Sequence, residues 1–234
     1  MPGSNSGIVV GYLAGRYPGR IGHLFGPTDF PIDRKPRTKG PFEFCPYALD
    51  NGAFGSFTSG MEWSEKGWLH LLQTVKIRHF KPLWALVPDV VSDRAATVER
   101  WKEYLPIVRR FRWDAAFAVQ DGMLPSDVPQ DASVIFVGGS TAWKWRTLQM
   151  WCRNFSRVHV GRVNSYRRLW QCHEAGAESC DGTGWFRGDH GSGKPLRALM
   201  AYLAESSGER DRPKQMELTA DFAVSEHTEI RRVS

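Results

Sequence analysis

The chain has 234 residues, of which 41% are hydrophobic, and this length fits one α/β domain with a sizeable core. Thirty-one Lys and Arg against 25 Asp and Glu give a formal charge of +6, which is compatible with nucleic acid as a partner and equally with a mildly basic enzyme. No stretch approaches 18 uninterrupted apolar residues, which argues against a membrane-spanning helix. The four cysteines form no CxxC pair and follow no signal peptide, so we expect reduced thiols, a cytoplasmic protein and no structural zinc site.

Short apolar runs alternate with amphipathic helices along most of the chain. Residues 8–13 are predicted as the first strand, and residues 14–46, rich in Gly, Pro, Arg and Lys, as a long basic loop. The further predicted strands cover residues 47–50, 83–87, 115–119, 134–137, 158–161 and 177–180. The predicted helices cover residues 64–78, 93–110, 141–154, 165–175 and 194–205. Residues 206–234 are polar and weakly periodic, which predicts a flexible tail.

This alternation predicts a parallel sheet. Apolar runs of four or five residues between helices are typical of parallel strands that are buried on both faces. We therefore predict an α/β fold of the (β/α)8 TIM-barrel type, shortened or irregular, as a single domain over residues 1–205. An open doubly wound sheet is the alternative, because periodicity does not show whether a sheet closes.

Polar motifs stand where four of the predicted strands end, and a glycine pair ends a fifth. The motifs are Leu49-Asp50-Asn51-Gly52, Val87-Pro88-Asp89, Val119-Gln120-Asp121-Gly122, Ser179-Cys180-Asp181-Gly182 and Phe136-Val137-Gly138-Gly139. Barrel enzymes build their active sites from the carboxyl ends of successive strands. The pattern therefore indicates an enzyme.

Asp50 and Asp181 are the strongest catalytic candidates. Each follows a short strand and is followed, directly or after one residue, by a glycine that allows a sharp turn. Two carboxylates at one barrel mouth suit glycosidic-bond chemistry, in which one attacks the sugar carbon and the other moves a proton. The alternative for either residue is a helix cap or a loop-bracing role.

A second group of residues has the chemistry to recognise a nucleobase. The Asp89 carboxylate is able to accept hydrogen bonds from the N1–H and exocyclic amine of guanine, and the Gln120 amide offers a donor and an acceptor. Gly138 and Gly139 would let backbone N–H groups approach the same base, although a tight turn explains most glycine pairs.

Two basic regions are candidates for contact with a nucleic-acid backbone. Lys144 and Arg146 alternate with tryptophans on a predicted helix, and Arg37 lies in the basic loop. An ordinary solvated face is the alternative for both regions.

The order of these motifs resembles the tRNA-guanine transglycosylase superfamily, and most of all its compact, phage-type DNA branch. The likeness covers roughly residues 8–190, in motif order rather than as a continuous match. Asp50–Phe54 is similar to the family's D-S-G-G-[FY] motif, Val119–Gly122 to its V-Q-G motif, and Gly138-Gly139 to its glycine pair. Gly161–Ser165 resembles a signature of the compact branch.

The resemblance implies the exchange of guanine in DNA for a free 7-deazaguanine base, 7-cyano-7-deazaguanine in our prediction, with no metal or organic cofactor. It makes Asp181 the nucleophile and Asp50 the general acid and base. It assigns the base to Asp89, Gln120, Gly138 and Gly139, and a phosphate contact to Arg162.

Departures from the family pattern bear on the substrate. The tRNA-acting enzymes carry a C-x-C-x-x-C…H zinc segment that this chain lacks, which favours DNA over tRNA. Asp121 also interrupts the expected Gln-Gly pair. Three alternatives stay open: a tRNA-acting enzyme without the zinc segment, a hydrolase that releases a base, and a non-catalytic nucleic-acid-binding barrel.

Overall fold

The computed structural model describes residues 7–38, 40–78, 80–186 and 193–208. Its strands are β1 (His23–Phe25), β2 (Tyr47–Leu49), β3 (Ala85–Leu86), β4 (Ala115–Val119), β5 (Val134–Val137), β6 (Val158–Val160) and β7 (Ser179–Cys180). Its α-helices are α1 (Gly7–Arg16), α2 (Ala53–Ser59), α3 (Glu65–Lys76), α4 (Arg94–Arg110), α5 (Thr141–Asn154), α6 (Tyr166–Ala175) and α7 (Lys194–Ser206). Two 3-10 turns cover Pro27–Asp29 and Pro125–Asp127. Of the predicted tail, residues 206–234, Ser206 ends α7, and everything from residue 209 onward lies outside the described residues.

The seven strands form one parallel sheet in the order β1 to β7, and each strand pairs with the next along the chain. Within the described residues, β1 and β7 are the edges and do not pair with each other. The sheet is therefore an open half-barrel of the α/β class. The predicted closed TIM-type barrel is wrong, because no described strand bridges the gap between the two edges. Of the alternative, an open doubly wound sheet, the openness is confirmed, although the strand order follows the chain without the reversal that a doubly wound sheet has.

The two faces of the sheet bury different partners. Side chains that alternate along each strand point to opposite faces. One face packs against the helices in the main core, which includes the buried Trp68, Trp101 and Trp151. The inner face holds a second cluster that contains no helix residue: Ala48, Trp84, Leu86, Ala116, Ala118 and Val134, with Leu24 and Phe136 beside them.

Side-chain caps fix the starts of two helices, α3 and α4. The Ser64 hydroxyl accepts a hydrogen bond from the Gly67 N–H at the start of α3, and the Asp93 carboxylate accepts one from the Ala96 N–H at the start of α4. These caps satisfy backbone donors that the first helical turn leaves free. Both helices begin within one residue of their predicted starts.

The first predicted strand, residues 8–13, is wrong, because Gly7–Arg16 is helical. Val10, Leu13, Ala14 and Tyr17 are all buried, and this spacing is the period of a helix rather than of a strand. The first strand, β1, instead lies inside the segment predicted as a long basic loop. No described helix has the length and apolar character needed to cross a membrane.

Candidate active site

A cavity of about 540 Å³ opens at the carboxyl ends of the strands, within the size range of small-molecule sites. Seven of the predicted site residues line it: Asp50, Asp89, Gln120, Gly138, Gly139, Arg162 and Asp181. They come from six different loops, and parallel strands bring them together because the carboxyl ends of such strands share one edge.

Asp181 follows β7 and turns one carboxylate oxygen into the protein. Its Oδ1 accepts hydrogen bonds from His159 Nε2, at 3.1 Å, and from the Arg162 backbone N–H, at 3.3 Å. The other oxygen, Oδ2, accepts no hydrogen bond from the described residues, and the side chain is 13% exposed to the cavity. Oδ2 is therefore the carboxylate oxygen that is left open to a ligand in the cavity.

The surroundings of Asp181 favour its ionised form. Burial is the largest single effect and opposes ionisation, but the interactions with His159 and the hydrogen bond from the Arg162 N–H together outweigh it and hold the pKa of Asp181 below its usual value. Burial lowers the pKa of His159, which is fully buried between aromatic rings. The imidazole is therefore neutral near pH 7, and it acts on Asp181 by donating a hydrogen bond rather than by carrying a positive charge.

Asp50 has the opposite electrostatic character. Burial, followed by the charge of Asp181, raises the pKa of Asp50 to about 7. A hydrogen bond from the Gly52 N–H to Asp50 Oδ1, at 3.3 Å, offsets this only in part. At neutral pH one cavity thus holds an ionised carboxylate and a carboxyl that keeps its proton part of the time. Such divergence is how carboxyl pairs divide the roles of nucleophile and acid.

Asp89 is clamped by two amide side chains. Asn51 Nδ2 donates to Asp89 Oδ1 and Gln120 Nε2 donates to Asp89 Oδ2, each at 2.7 Å. Both amides are themselves fixed: Asn51 also donates to the Val87 carbonyl, and Gln120 accepts from the Ser92 N–H. The carboxylate therefore has one orientation in the cavity, and each of its oxygens keeps a lone pair for a ligand.

Burial raises the pKa of Asp89, while the hydrogen bonds from Asn51 and Gln120 lower it and so offset part of that effect. The group is 8% exposed, and this small surface faces the cavity. A rigid carboxylate with partial access suits recognition of a ligand edge that presents two donors.

Gly138 and Gly139, which follow β5, line another part of the cavity wall. A Cβ on Gly138 would meet only ordinary contacts, the nearest atom being the Val119 oxygen at 3.5 Å. Gly139 has a φ of +62°, and a Cβ there would lie 2.5 Å from Asp121 Oδ1. That carboxylate accepts hydrogen bonds from both the N–H and the hydroxyl of Ser140, so Asp121 braces the turn into α5.

Arg162 adopts the left-handed conformation, with a φ of +61°. A residue other than glycine in this region carries strain of about 1–3 kcal/mol, which is typical of functional sites. The conformation aims the backbone N–H of Arg162 at Asp181, while its guanidinium donates to the Gly139 carbonyl and lies 4.3 Å above the ring of Phe54. Arg162 therefore links Asp181, Gly139 and Phe54 across the cavity.

The three other predicted contact residues lie outside the cavity. Lys144 is 1% exposed, and its ammonium donates to the Gly161 carbonyl, so it is not available to a phosphate at the surface. Burial lowers its pKa to about 8. Arg146 is exposed on α5 and Arg37 is exposed in the loop before β2.

Sequence reasoning did not single out His159, Asn51 or Phe54. His159 stands alone as a polar residue between Val158 and Val160, and this is the signal in the sequence that could have revealed it. Asn51 was visible as the neighbour of Asp50, but its role depends on the distance between two loops. Phe54 lines the cavity from α2.

A larger cavity, of about 670 Å³, lies beside the open edge of the sheet and is lined by residues such as Pro46, Cys172, Cys180 and Trp185. We place the candidate active site in the smaller cavity because Asp50 and Asp181, whose pKa values are shifted in opposite directions, both line it. The described residues contain no cluster of three or more His, Cys, Asp or Glu suited to a metal ion.

No protein-family model and no curated protein matches the chain. Among solved structures, the chain is similar to one in the crystal structure of the Amycolatopsis orientalis BexX/CysO complex. The similarity has a TM-score of 0.47 and a sequence identity of 15%, and it covers 82% of this chain and 83% of that one.

These comparisons correct the sequence interpretation. The resemblance to the tRNA-guanine transglycosylase superfamily is wrong as a family assignment, because no model of that family and no curated protein matches the chain. The roles of the cavity residues consequently depend on their geometry alone.

Proposed function

We propose that the protein is a glycosyltransferase that exchanges guanine in DNA for another purine-like base through a covalent aspartyl–sugar intermediate. The observation that carries the proposal is the divergence of two carboxyls in one cavity: Asp181 is held ionised with one free oxygen, and the pKa of Asp50 is raised to about 7. The clamped carboxylate of Asp89 supports guanine as the base, since guanine presents two adjacent donors.

In the first step, Asp181 Oδ2 forms a bond to the anomeric carbon of the deoxyribose as the bond from that carbon to guanine breaks. Asp50 gives its proton to the leaving base, so no charge builds up on it. In the second step, the incoming base attacks the same carbon, its N–H proton passes to Asp50, and Asp181 is released. Two inversions give net retention at the sugar.

His159 and Arg162 position the nucleophile in this scheme. Their donors hold Oδ1 of Asp181 and leave Oδ2 directed at the sugar. We propose 7-cyano-7-deazaguanine as the incoming base and the cytoplasm as the compartment. The second assignment is supported by the four cysteines, none of which forms a disulfide.

The test is incorporation of labelled guanine into duplex DNA and into tRNA, side by side. Asp181→Asn should abolish incorporation, while Glu174→Gln, the same change on the exposed face of α6, should leave it unaltered. Incorporation only into tRNA would replace DNA as the substrate. Release of guanine without incorporation would indicate a hydrolase, in which water replaces the incoming base. Equal activity in wild type and Asp181→Asn would remove Asp181 as the nucleophile.

A further inference from the structure

The short helix α2 presents an unusual surface beside the cavity. Phe57 is 58% exposed and Met61, just beyond the helix, is 68% exposed. Phe54, one turn before Phe57, is 40% exposed. Between Asn51 and Met61 there is no charged side chain. We call Phe54, Phe57 and Met61 the apolar rim. Large apolar side chains grouped in this way at a surface mark a site of interaction.

The apolar rim is continuous with the active site. Phe54 and Thr58 line the cavity, so one side of α2 is a wall of the site and the rest of the helix stands at its mouth. The Arg162 guanidinium stacks over the Phe54 ring, which ties the rim to the residue above the nucleophile. A partner on the rim therefore also meets the entrance to the cavity.

Exposed cations adjoin the same side of the mouth. The loop after β1 packs against α2, since a Cβ on Gly52 would lie 3.0 Å from Pro27 Cδ, and Thr28 lines the cavity. The Arg37 N–H donates to the Asp29 carbonyl at 2.9 Å, which holds the following segment near this wall. That segment carries the exposed Arg34, Lys35 and Arg37.

An apolar surface bordered by cations fits a nucleic acid with its bases opened, and at the mouth of a cavity that holds base-recognising groups we favour this partner. Aromatic side chains stack on bases or enter the gap between them, and cations hold the flanking phosphates. A base inside a duplex is out of reach of a cavity, so its nucleotide must leave the base stack. A side chain that fills the gap left behind lowers the free-energy cost of this unstacking.

We propose that the apolar rim, led by Phe57, inserts into the base stack of duplex DNA where the target nucleotide has left it, while Arg34, Lys35 and Arg37 contact the neighbouring phosphates. This inference rests on the proposed function for the identity of the target base. It adds the interaction surface and the means of opening the duplex.

The experiment measures stacking and binding without chemistry. The first probe is a duplex oligonucleotide that carries 2-aminopurine next to a guanine, because the fluorescence of 2-aminopurine rises when its stacking is lost. The second probe is the same labelled strand without its complement. The proteins are wild type, Phe57→Ala, Phe57→Trp and Ile77→Ala. Ile77, at the end of α3, is an apolar residue that is even more exposed than Phe57, at 76%.

We expect wild type, Phe57→Trp and Ile77→Ala to raise the duplex fluorescence alike. Phe57→Ala should lose most of that rise and bind the duplex about tenfold more weakly, in line with the loss of one base–aromatic stack. Its affinity for the single strand should fall less, because no stack has to be opened. A duplex with an abasic site opposite the guanine should restore much of the lost affinity.

Three results would overturn the inference: no binding of duplex DNA by wild type, equal fluorescence with Phe57→Ala and wild type, or a dimer that Phe57→Ala converts to a monomer. The last would make the rim an interface between copies of the chain. The outcome is separable from the proposed function. If wild type opens the stack but exchanges no base, the role of the rim is supported and the proposed exchange is rejected. If wild type exchanges the base and Phe57→Ala opens the stack as well as wild type does, the exchange is supported and the role of the rim is rejected.

Discussion

His159 Nε2 lies 3.1 Å from Asp181 Oδ1, and the other ring nitrogen, Nδ1, lies 2.8 Å from Ser179 Oγ. The sheet register explains this arrangement: His159 on β6 pairs with Ser179 on β7, and Asp181 follows two residues later on the same face. Because an ionised carboxylate only accepts hydrogen bonds, the proton of the neutral ring is on Nε2 and points at Asp181, and Nδ1 accepts from the Ser179 hydroxyl.

Replacement of His159 by Phe should impair the nucleophile without emptying the core. The new ring can keep the stacking with Phe136 and Trp84, whose centroids lie 5.0 Å and 4.8 Å from the imidazole. Loss of a hydrogen bond to a charged group is worth about 1.5–3 kcal/mol, so base exchange should slow by roughly 10–100-fold. The acidic limb of the pH–rate profile should move to higher pH, because the pKa of Asp181 rises without its donor.

His159→Gln is the matched variant, since its amide is able to donate in place of the ring. It should recover part of the rate and return the acidic limb toward the wild-type position. If His159→Phe and His159→Gln slow base exchange equally and neither shifts the acidic limb of the pH–rate profile, His159 contributes only packing.

Asp50 should set the alkaline limb of the same profile. Its pKa of about 7 means that the proton needed by the leaving base is lost as the pH rises above neutrality. Asp50→Asn, which has no such proton, should lower the rate by about 100–10,000-fold and remove the limb. A retained alkaline limb in the variant would assign the proton transfer to another group.

Asp50 should also make the stability of the protein depend on pH, and its replacement, which slows the reaction, should stabilise the fold at high pH. The folded pKa of Asp50 lies above the usual value, so its stabilising contribution is complete below the unfolded pKa, near 4, and is lost as the pH rises through 7. Asp50→Asn should therefore raise the melting temperature relative to wild type at pH 9 and much less at pH 5. The gain in free energy of unfolding should be at most about 4 kcal/mol, and smaller where cavity water reaches the carboxyl. Thermal unfolding at the two pH values measures it, and equal shifts at both would contradict the raised pKa.

The polar edge of the sheet was predictable because of a general property of parallel strands. Asp50, Asp89, Gln120 and Asp181 each follow an apolar run, and the carboxyl ends of such runs meet wherever the sheet is parallel, whether it closes or not. The prediction of a closed barrel was wrong, but the prediction that these polar residues lie together did not depend on it. Closure of the sheet depends on whether β1 and β7 pair with each other, and the periodicity of the sequence does not predict this.

Other features depended on contacts between distant segments. The helix α1 contains Ile, Val, Val in succession, which favours a strand locally, yet burial of Val10 and Leu13 against the core selects a helix. The three-residue β1 is too short to give a pattern. The clamp on Asp89 joins Asn51 and Gln120 across 69 positions of the chain, so its distances follow only from the fold.

Asp89 should determine which base is bound. Asp89→Asn replaces an acceptor by a donor that faces the amides of Asn51 and Gln120, and we expect about 1–3 kcal/mol of destabilisation from the conflict. Wild type should prefer guanine to hypoxanthine, which lacks the exocyclic amine, and the variant should lose this preference. Competition between the two labelled bases measures it. An unchanged preference would show that Asp89 only braces the loops.

The turn after Asp181 provides a test of how tightly the nucleophile is held. A Cβ on Gly182 would stand 2.0 Å from the Val163 carbonyl oxygen and 2.8 Å from Trp185 Nε1, which are hydrogen-bonded to each other. Gly182→Ala must therefore displace backbone, and we expect a loss of stability of roughly 3 kcal/mol. The Val163 N–H also donates to the Asp181 carbonyl at 2.5 Å, so the displacement reaches the nucleophile.

Gly176→Ala is the matched control for this substitution. Gly176 ends α6 with a φ of +82° and has open space where the new methyl group would stand, so its replacement should cost only about 1–2 kcal/mol of backbone strain. Thermal unfolding of both variants, with base exchange assayed well below either melting temperature, separates the two effects. Gly182→Ala should lose exchange while still folded, and Gly176→Ala should keep it. If the two variants lose equal stability and both retain exchange, the loop around Asp181 adapts freely, and preorganisation of the nucleophile does not explain its reactivity.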